Sequence, residues 1–203
     1  MPKSSVVPYV PYEASEKKAA AFLRKYHPLG DVPVPIEEIF ELELGMALDL
    51  HESLYATHGL NAALQDGLKG IWVDRETWEK KPFKLRFTLA QKIGHLVLHK
   101  DFFEGLSYES PLELARQLGK LTQTEIDSLE IQACNFAEQI LVPKRRLMAL
   151  ISPHMYKLFK AAIDLTDKKS AEKARAHIGN AVHRKFEVSK IVIAKRLEYL
   201  KVL

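Results

Sequence analysis

From Phe83 to His99 apolar side chains fall on nearly every side of a helix: Phe83, Leu85, Phe87, Leu89, Ala90, Ile93, Leu96, Val97 and Leu98. A helix without a polar face is a buried one, so each polar residue inside it needs a partner or a task. The flanking segments alternate in more ordinary ways. Ala19, Phe22, Leu23 and Tyr26 share one side of a helix for which Ser15 is the expected cap. Ile36, Ile39, Phe40 and Leu44 share a face of a second, with Pro35 in its first turn and Gly45 as its stop. MALDL (46–50) alternates as a strand does, and LNAAL (60–64) and LKGIWVD (68–74) read as two more, with Asp66-Gly67 as a turn. Residues 1–12 hold three prolines and no periodicity, the pattern of an extended arm.

Beyond the apolar helix the pattern is helical to the end. Ser110-Pro111 opens a short helix, and Thr122 with Glu125 has capping-box spacing at the start of a longer one. That helix carries Ile126, Leu129, Ala133, Phe136, Ala137 and Ile140 before Pro143 ends it. KRRLMALI, then Pro153 to about Asp164, then Ser170 to Phe186 follow as helices, and Ser189 is placed to cap a last one, KIVIAKRLEYL. The predicted fold is α+β, mainly helical, with a small sheet of about three strands.

Composition changes this picture little and charge changes it more. At 203 residues the chain can bury a core as one domain or as one domain with an appendage, and 47% hydrophobic content is ordinary for a soluble protein. No apolar run has the length of a membrane span, and the first residues lack the apolar stretch of a signal peptide. The single cysteine, Cys134, fits a reducing compartment, so a cytoplasmic location without membrane association is the expectation. Residues 144–203 hold 15 Lys and Arg against 5 Asp and Glu, a net +10 inside a chain whose total is +4. Such a region can face nucleic acid or an acidic partner, or can simply be a set of solvated helix faces.

The chemistry concentrates in RFTLAQKIGHLVLHK (86–100). A zinc peptidase helix carries H-E-x-x-H: two imidazoles one turn apart grip a single Zn²⁺, and the glutamate between them takes the proton of the metal-bound water. Here the same five places hold Gln91, Lys92, Ile93, Gly94 and His95. Four blocks in order resemble the ImmA/IrrE family of zincin-like metallopeptidases. VPVPIEEIFELELG (32–45) is similar to the family's PVPIEEI…LG, and RFTLAQKIGHLVLH (86–99) to its RFTLAHELGHLLLH. EIQACNFAEQILVP (130–143) is similar to its next long helix, and FEVSKIVIAKRL (186–197) to its C-terminal F-x-V-S…RL. The resemblance implies a zincin-like domain over 1–143 and a basic, helix-turn-helix-like helical region over 144–203. It also implies zinc endopeptidase activity and helix-turn-helix repressor proteins as partners.

Carried over residue by residue, the resemblance leaves a damaged site. His95 stands at the second zinc histidine and Glu130 at the carboxylate ligand, while Gln91 replaces the first histidine and Lys92 the catalytic glutamate. Cys134 replaces a supporting Asn or Asp and reads as a small apolar filler rather than a nucleophile. A glutamine oxygen is a poor zinc ligand beside imidazole, and a lysine cannot serve as base while protonated. The leading expectation is therefore a pseudo-metallopeptidase, without catalytic residues or cofactor, that binds a protein partner along the sheet edge beside the active helix. Lys92 is expected either to neutralise Glu130 in place of the metal or to reach out to solvent. One alternative is a divergent zinc peptidase cleaving a helix-turn-helix repressor, its metal held by His95, His99 and Glu130. A second is a DNA-associated regulator whose Lys190, Lys195, Arg196 and Lys201 contact phosphates. His51, His58 and His154 show no ligand spacing with one another.

Overall fold

A computed structural model describes residues 7–160 and 166–202. The chain begins with α1 (Tyr12–Tyr26), then α2 (Ile36–Glu38) running on as a π turn over Ile39–Glu43. β1 (Ala47–His51), α3 (Leu54–His58), β2 (Ala62–Leu64) and β3 (Gly70–Asp74) come next. Then come α4 (Arg75–Lys80), α5 (Pro82–Leu98), α6 (Lys100–Glu104), α7 (Pro111–Leu118) and α8 (Gln123–Leu141). The chain closes with α9 (Lys144–Lys160), α10 (Lys168–Phe186) and α11 (Lys190–Tyr199). The fold is mainly helical α+β with one three-stranded sheet in the order β1-β3-β2. β3 lies at its centre, parallel to β1 in the register Leu48 to Ile71 and antiparallel to β2 in the register Ala63 to Trp72. Among the described residues no helix is long and apolar enough to cross a membrane.

The apolar pattern of residues 83–99 forms α5, and its inner side packs on α8. Leu89, Ala90 and Ile93 are buried there with Phe136, Ala137 and Ile140. Gly94 sets how close the two helices come. A Cβ at that position would lie 2.9 Å from the carbonyl oxygen of Ala133 and 3.1 Å from its Cα. Helix α1 packs on another side of α8, with Phe22 edge-on to Phe136 at 5.9 Å between ring centres.

Several expected boundaries move, each for a local reason. Helix α1 starts after Pro11, so Ser15 is not its cap. Ser15 lies one turn inside, buried, and its hydroxyl donates to Gln139 Oε1 at 2.7 Å. The arm before α1 is held to α8 by one amide: Val10 N–H donates to Gln132 Oε1 at 2.6 Å, and Gln132 Nε2 donates to the Pro8 carbonyl at 3.2 Å. Residues 1–6 of that predicted arm lie outside the described residues. Pro35 precedes α2 rather than sitting in its first turn. Pro153 sits inside α9 instead of starting a new helix. It lies on the exposed side, near exposed Ala149, where water can take the carbonyl that proline leaves unbonded. The predicted end of that segment near Asp164 is also outside the described residues. Asp167, accepting from Ser170 N–H at 2.8 Å, caps α10, which begins at Lys168, two residues before the predicted Ser170. The capping box of Thr122 and Glu125 forms as predicted, and Gly45 adopts the left-handed φ of +61° after the π turn.

Contacts cross the predicted boundary at Pro143, and one hydrophobic cluster includes Phe136 and Ile140 together with Phe186, Val188, Ile193 and Leu197. Buried Arg196 on α11 donates to the Val142 carbonyl at 3.3 Å, to Glu16 at 2.7 Å and to the Tyr12 hydroxyl. Arg86 on α5 pairs with Glu37 at 2.6 Å, donates to the Val34 carbonyl at 2.6 Å and lies 3.5 Å from Glu187. Those contacts fasten the PVPIEE segment and the end of α10 to α5. One carboxyl in this interior is less well served. Glu138 of α8 is 2% exposed and its Oε2 has no hydrogen-bond partner. Burial pushes its pKa from 4.5 to about 7, against the lowering pull of Lys195 and Arg196.

This packing can be tested at two positions. Gly94→Ala should destabilise the fold by about 1–3 kcal/mol in urea melts, because the added methyl meets backbone that cannot turn aside. Between pH 4.5 and about 7 the unfolded chain releases a proton that folded Glu138 keeps, so this group's contribution to stability falls as pH rises through that window. The loss is on the order of 3 kcal/mol. Measured as the difference between the wild-type protein and Glu138→Gln from pH 4 to 8, the slope should belong to wild type alone.

Candidate functional site

Gln91 and His95 stand one turn apart on α5, and Glu130 and Cys134 one turn apart on α8. The close approach at Gly94 and Ala133 brings the two pairs together. Gln91 Nε2 donates to Glu130 Oε2 at 2.7 Å and faces Cys134 Sγ at 3.4 Å. Glu130 Oε1 lies 3.4 Å from His95 Nε2, yet that buried nitrogen has no hydrogen-bond partner. On its other side His95 Nδ1 meets His99 Nδ1 at 3.1 Å, and His99 Nε2 faces Gln132 Oε1 at 3.5 Å.

The bonds of Gln132 fix how protons are arranged along this chain of groups. Its oxygen already accepts from Val10 and its nitrogen already donates to the carbonyls of Pro8 and Ser128, so the amide cannot turn over. His99 Nε2 must then carry the hydrogen it presents to Gln132, which makes His99 Nδ1 an acceptor. His95 Nδ1 is therefore the donor, and neutral His95 is left with a bare lone pair on Nε2 aimed at a carboxylate. This is the tautomer of a metal-ligating histidine. A proton or a cation between Nε2 and Oε1 would complete the chain.

The electrostatics bear on the gap between Nε2 and Oε1. Burial alone would raise the Glu130 carboxyl, but a hydrogen bond from His95, which needs a proton in that gap, and the positive charge of Lys92 outweigh it and hold it at about 2. Burial dominates at His95 and lowers its pKa from 6.5, while Glu130 pulls upward and Lys92 downward. Burial and the neighbouring His95 bring His99 to about 4. Lys92 is half-buried and forms no ion pair with Glu130 within 4.0 Å, so it does not take the seat of a metal by contact. The group in contact with Glu130 is the Gln91 amide. His99, predicted as a helix-end residue or a rescued ligand, is 1% exposed and turns its ring nitrogens to His95 and Gln132.

Whether these residues suit zinc is a question of the donor set. Two zinc ligands at about 2.0–2.2 Å in tetrahedral array are roughly 3.3–3.6 Å apart, which matches the 3.4 Å between His95 Nε2 and Glu130 Oε1. The third protein ligand of a hydrolytic centre falls at Gln91, where an amide nitrogen points into the site. Among the described residues no group of three or more His, Cys, Asp or Glu side chains is placed to hold a metal. The set is two-thirds of a zinc centre, and no carboxylate stands where the water-activating base would be. It does not fit a catalytic metal.

The remaining candidates are dispersed. His51 ends β1 and meets the Glu52 carbonyl, His58 ends α3, and His154 lies inside α9 beside His177. Of the four cations proposed for phosphates, Arg196 is buried against Glu16, whereas Lys190, Lys195 and Lys201 are exposed. The strand lying against α5 is β2, which is wholly buried and also packed by α7. The exposed edge of the sheet is instead β1. Gln132 has no place in the motif spacing, although a polar residue on the apolar face of Leu129, Ala133 and Phe136 was a visible signal. No protein-family model matches the chain, and no curated protein matches it.

Burial, Glu130 and Glu138 push the Cys134 thiol from 9.0 to about 11. At pH 8 its thiolate fraction is then roughly 100-fold below that of an ordinary thiol. Alkylation by iodoacetamide at that pH should be slower by about the same factor in the native protein than in urea.

Proposed function

We propose that this chain is a pseudo-metallopeptidase of the ImmA/IrrE type, a non-catalytic protein that binds a protein partner. The observation that carries the reading is the hydrogen bond from Gln91 Nε2 to Glu130 at 2.7 Å. It joins the residue at the first ligand position to the retained carboxylate, so the space between them is closed by an amide. Lys92 adds a cation where the chemistry requires a base, and no other carboxylate takes over that role in the site. The partner class implied by the resemblance is a helix-turn-helix repressor. An extended segment of it would pair with β1, which among the described residues has no strand on its outer side.

One observation favours a second reading, the divergent zinc peptidase: the bare His95 Nε2 at zinc spacing from Glu130. The two separate on metal uptake and turnover. Wild-type protein dialysed against zinc should show no metal-dependent cleavage of an unstructured peptide. Gln91→His with Lys92→Glu should raise zinc affinity by at least about 100-fold, since it restores an inner ligand and removes a cation. Zinc-dependent cleavage by wild type, abolished by Glu130→Gln, would establish the enzyme instead.

A further inference from the structure

A cavity of about 580 Å³ opens where the start of α5, the last turn of α8 and the start of α11 meet. Its walls are apolar: Pro82, Phe83 and Phe87 from α5, and Ile191 and Val192 from α11. Glu138, 2% exposed and with an unpartnered Oε2, lines it as well. None of the residues of the Gln91–Glu130 site reaches this space, so a ligand here is independent of whether that site binds metal.

The polar features of the cavity have opposite preferences at its two ends. Helices α5 and α11 both begin at it, and neither is capped by a side chain: Lys81 and Ser189 stand at the cap positions without capping hydrogen bonds. Residues at both helix starts line the same opening, where the two positive dipole ends suit an anion. Exposed Lys195 adds a positive charge, while Lys81 is paired with Glu76 at 3.2 Å and Lys84 is stacked on Tyr55. Deeper in, Glu138 has an oxygen free to accept a hydrogen bond, and the charged groups acting on it are Lys195 and Arg196. Phe83, Phe87 and Ile191 accept an apolar body between the two ends.

We propose that this cavity binds a small aromatic anion, a carboxylate or sulfonate whose ring system carries an N–H or O–H. The anion lies at the two helix starts beside Lys195, the rings lie on Phe83, Phe87 and Ile191, and the N–H or O–H donates to Glu138. A ligand so placed bridges the apolar helix and the last helix of the chain.

The probe is 8-anilinonaphthalene-1-sulfonate, which combines fused rings, a sulfonate and an anilino N–H. The comparison is N-phenyl-1-naphthylamine, the same rings and N–H without the charge. Fluorescence titration of the full chain should show one saturable site for the sulfonate, and binding of the uncharged analogue at least about tenfold weaker. Ile191→Glu, at a residue 61% exposed, should weaken the sulfonate at least about tenfold. Ile131→Glu, at an exposed apolar residue elsewhere on the chain, should leave it unchanged. Glu138→Leu should lose about tenfold and Glu138→Gln, which keeps a carbonyl acceptor, less than about threefold, with thermal melts showing both folded. Equal binding of the two probes, or sulfonate binding indifferent to Ile191→Glu, would overturn the proposal.

Discussion

The structure depends on one approach of backbone to backbone, where Gly94 of α5 meets Ala133 of α8. A helix surrounded by apolar side chains would ordinarily stand off its neighbour by the length of those chains. The missing side chain at Gly94 lets the two axes close. That closeness brings residues 91 and 95 into contact with residue 130, so the packing of the core and the geometry of the site share one cause. Side chains as short as Gln and Glu can hydrogen-bond across two helices only when the helices touch in this way.

Much of the fold was legible because its signals are local. The strands of the sheet, the capping box at Thr122 and the burial of α5 arise from alternation, cap chemistry and an unbroken apolar surface. Ser15 and Pro153 depart from expectation because their local signals are outweighed by tertiary contact and by solvent. A serine near a helix start is an ordinary cap, but here Gln139 from a distant helix gives its hydroxyl a stronger claim. A proline ordinarily ends a helix, but on an exposed face the carbonyl it leaves unbonded is open to solvent.

The candidate site was legible by position and not by interaction. The sequence places Gln91, Lys92, His95 and Glu130 together by analogy of spacing, and the structure does bring Gln91, His95 and Glu130 into contact. Spacing does not foretell that the amide at 91 rather than the ammonium at 92 meets the carboxylate. Side chains at 91 and 92 point about 100° apart around a helix, and only the one turned toward α8 can reach. The role of Gln132 required knowledge of three partners far apart in the chain, which periodicity cannot supply.

That glutamine joins things of different kind. A single amide grips the backbone of the strap before α1 with one set of bonds and dictates with another which nitrogen of His99, and so of His95, bears hydrogen. The strap is thereby wired to the imidazole pair. Were residues 8–10 peeled from α8, by a competing peptide or by proteolysis, the amide would keep only its bonds to Ser128 on the strap-independent side, and its hold on the tautomers of the two rings would loosen without either ring being touched.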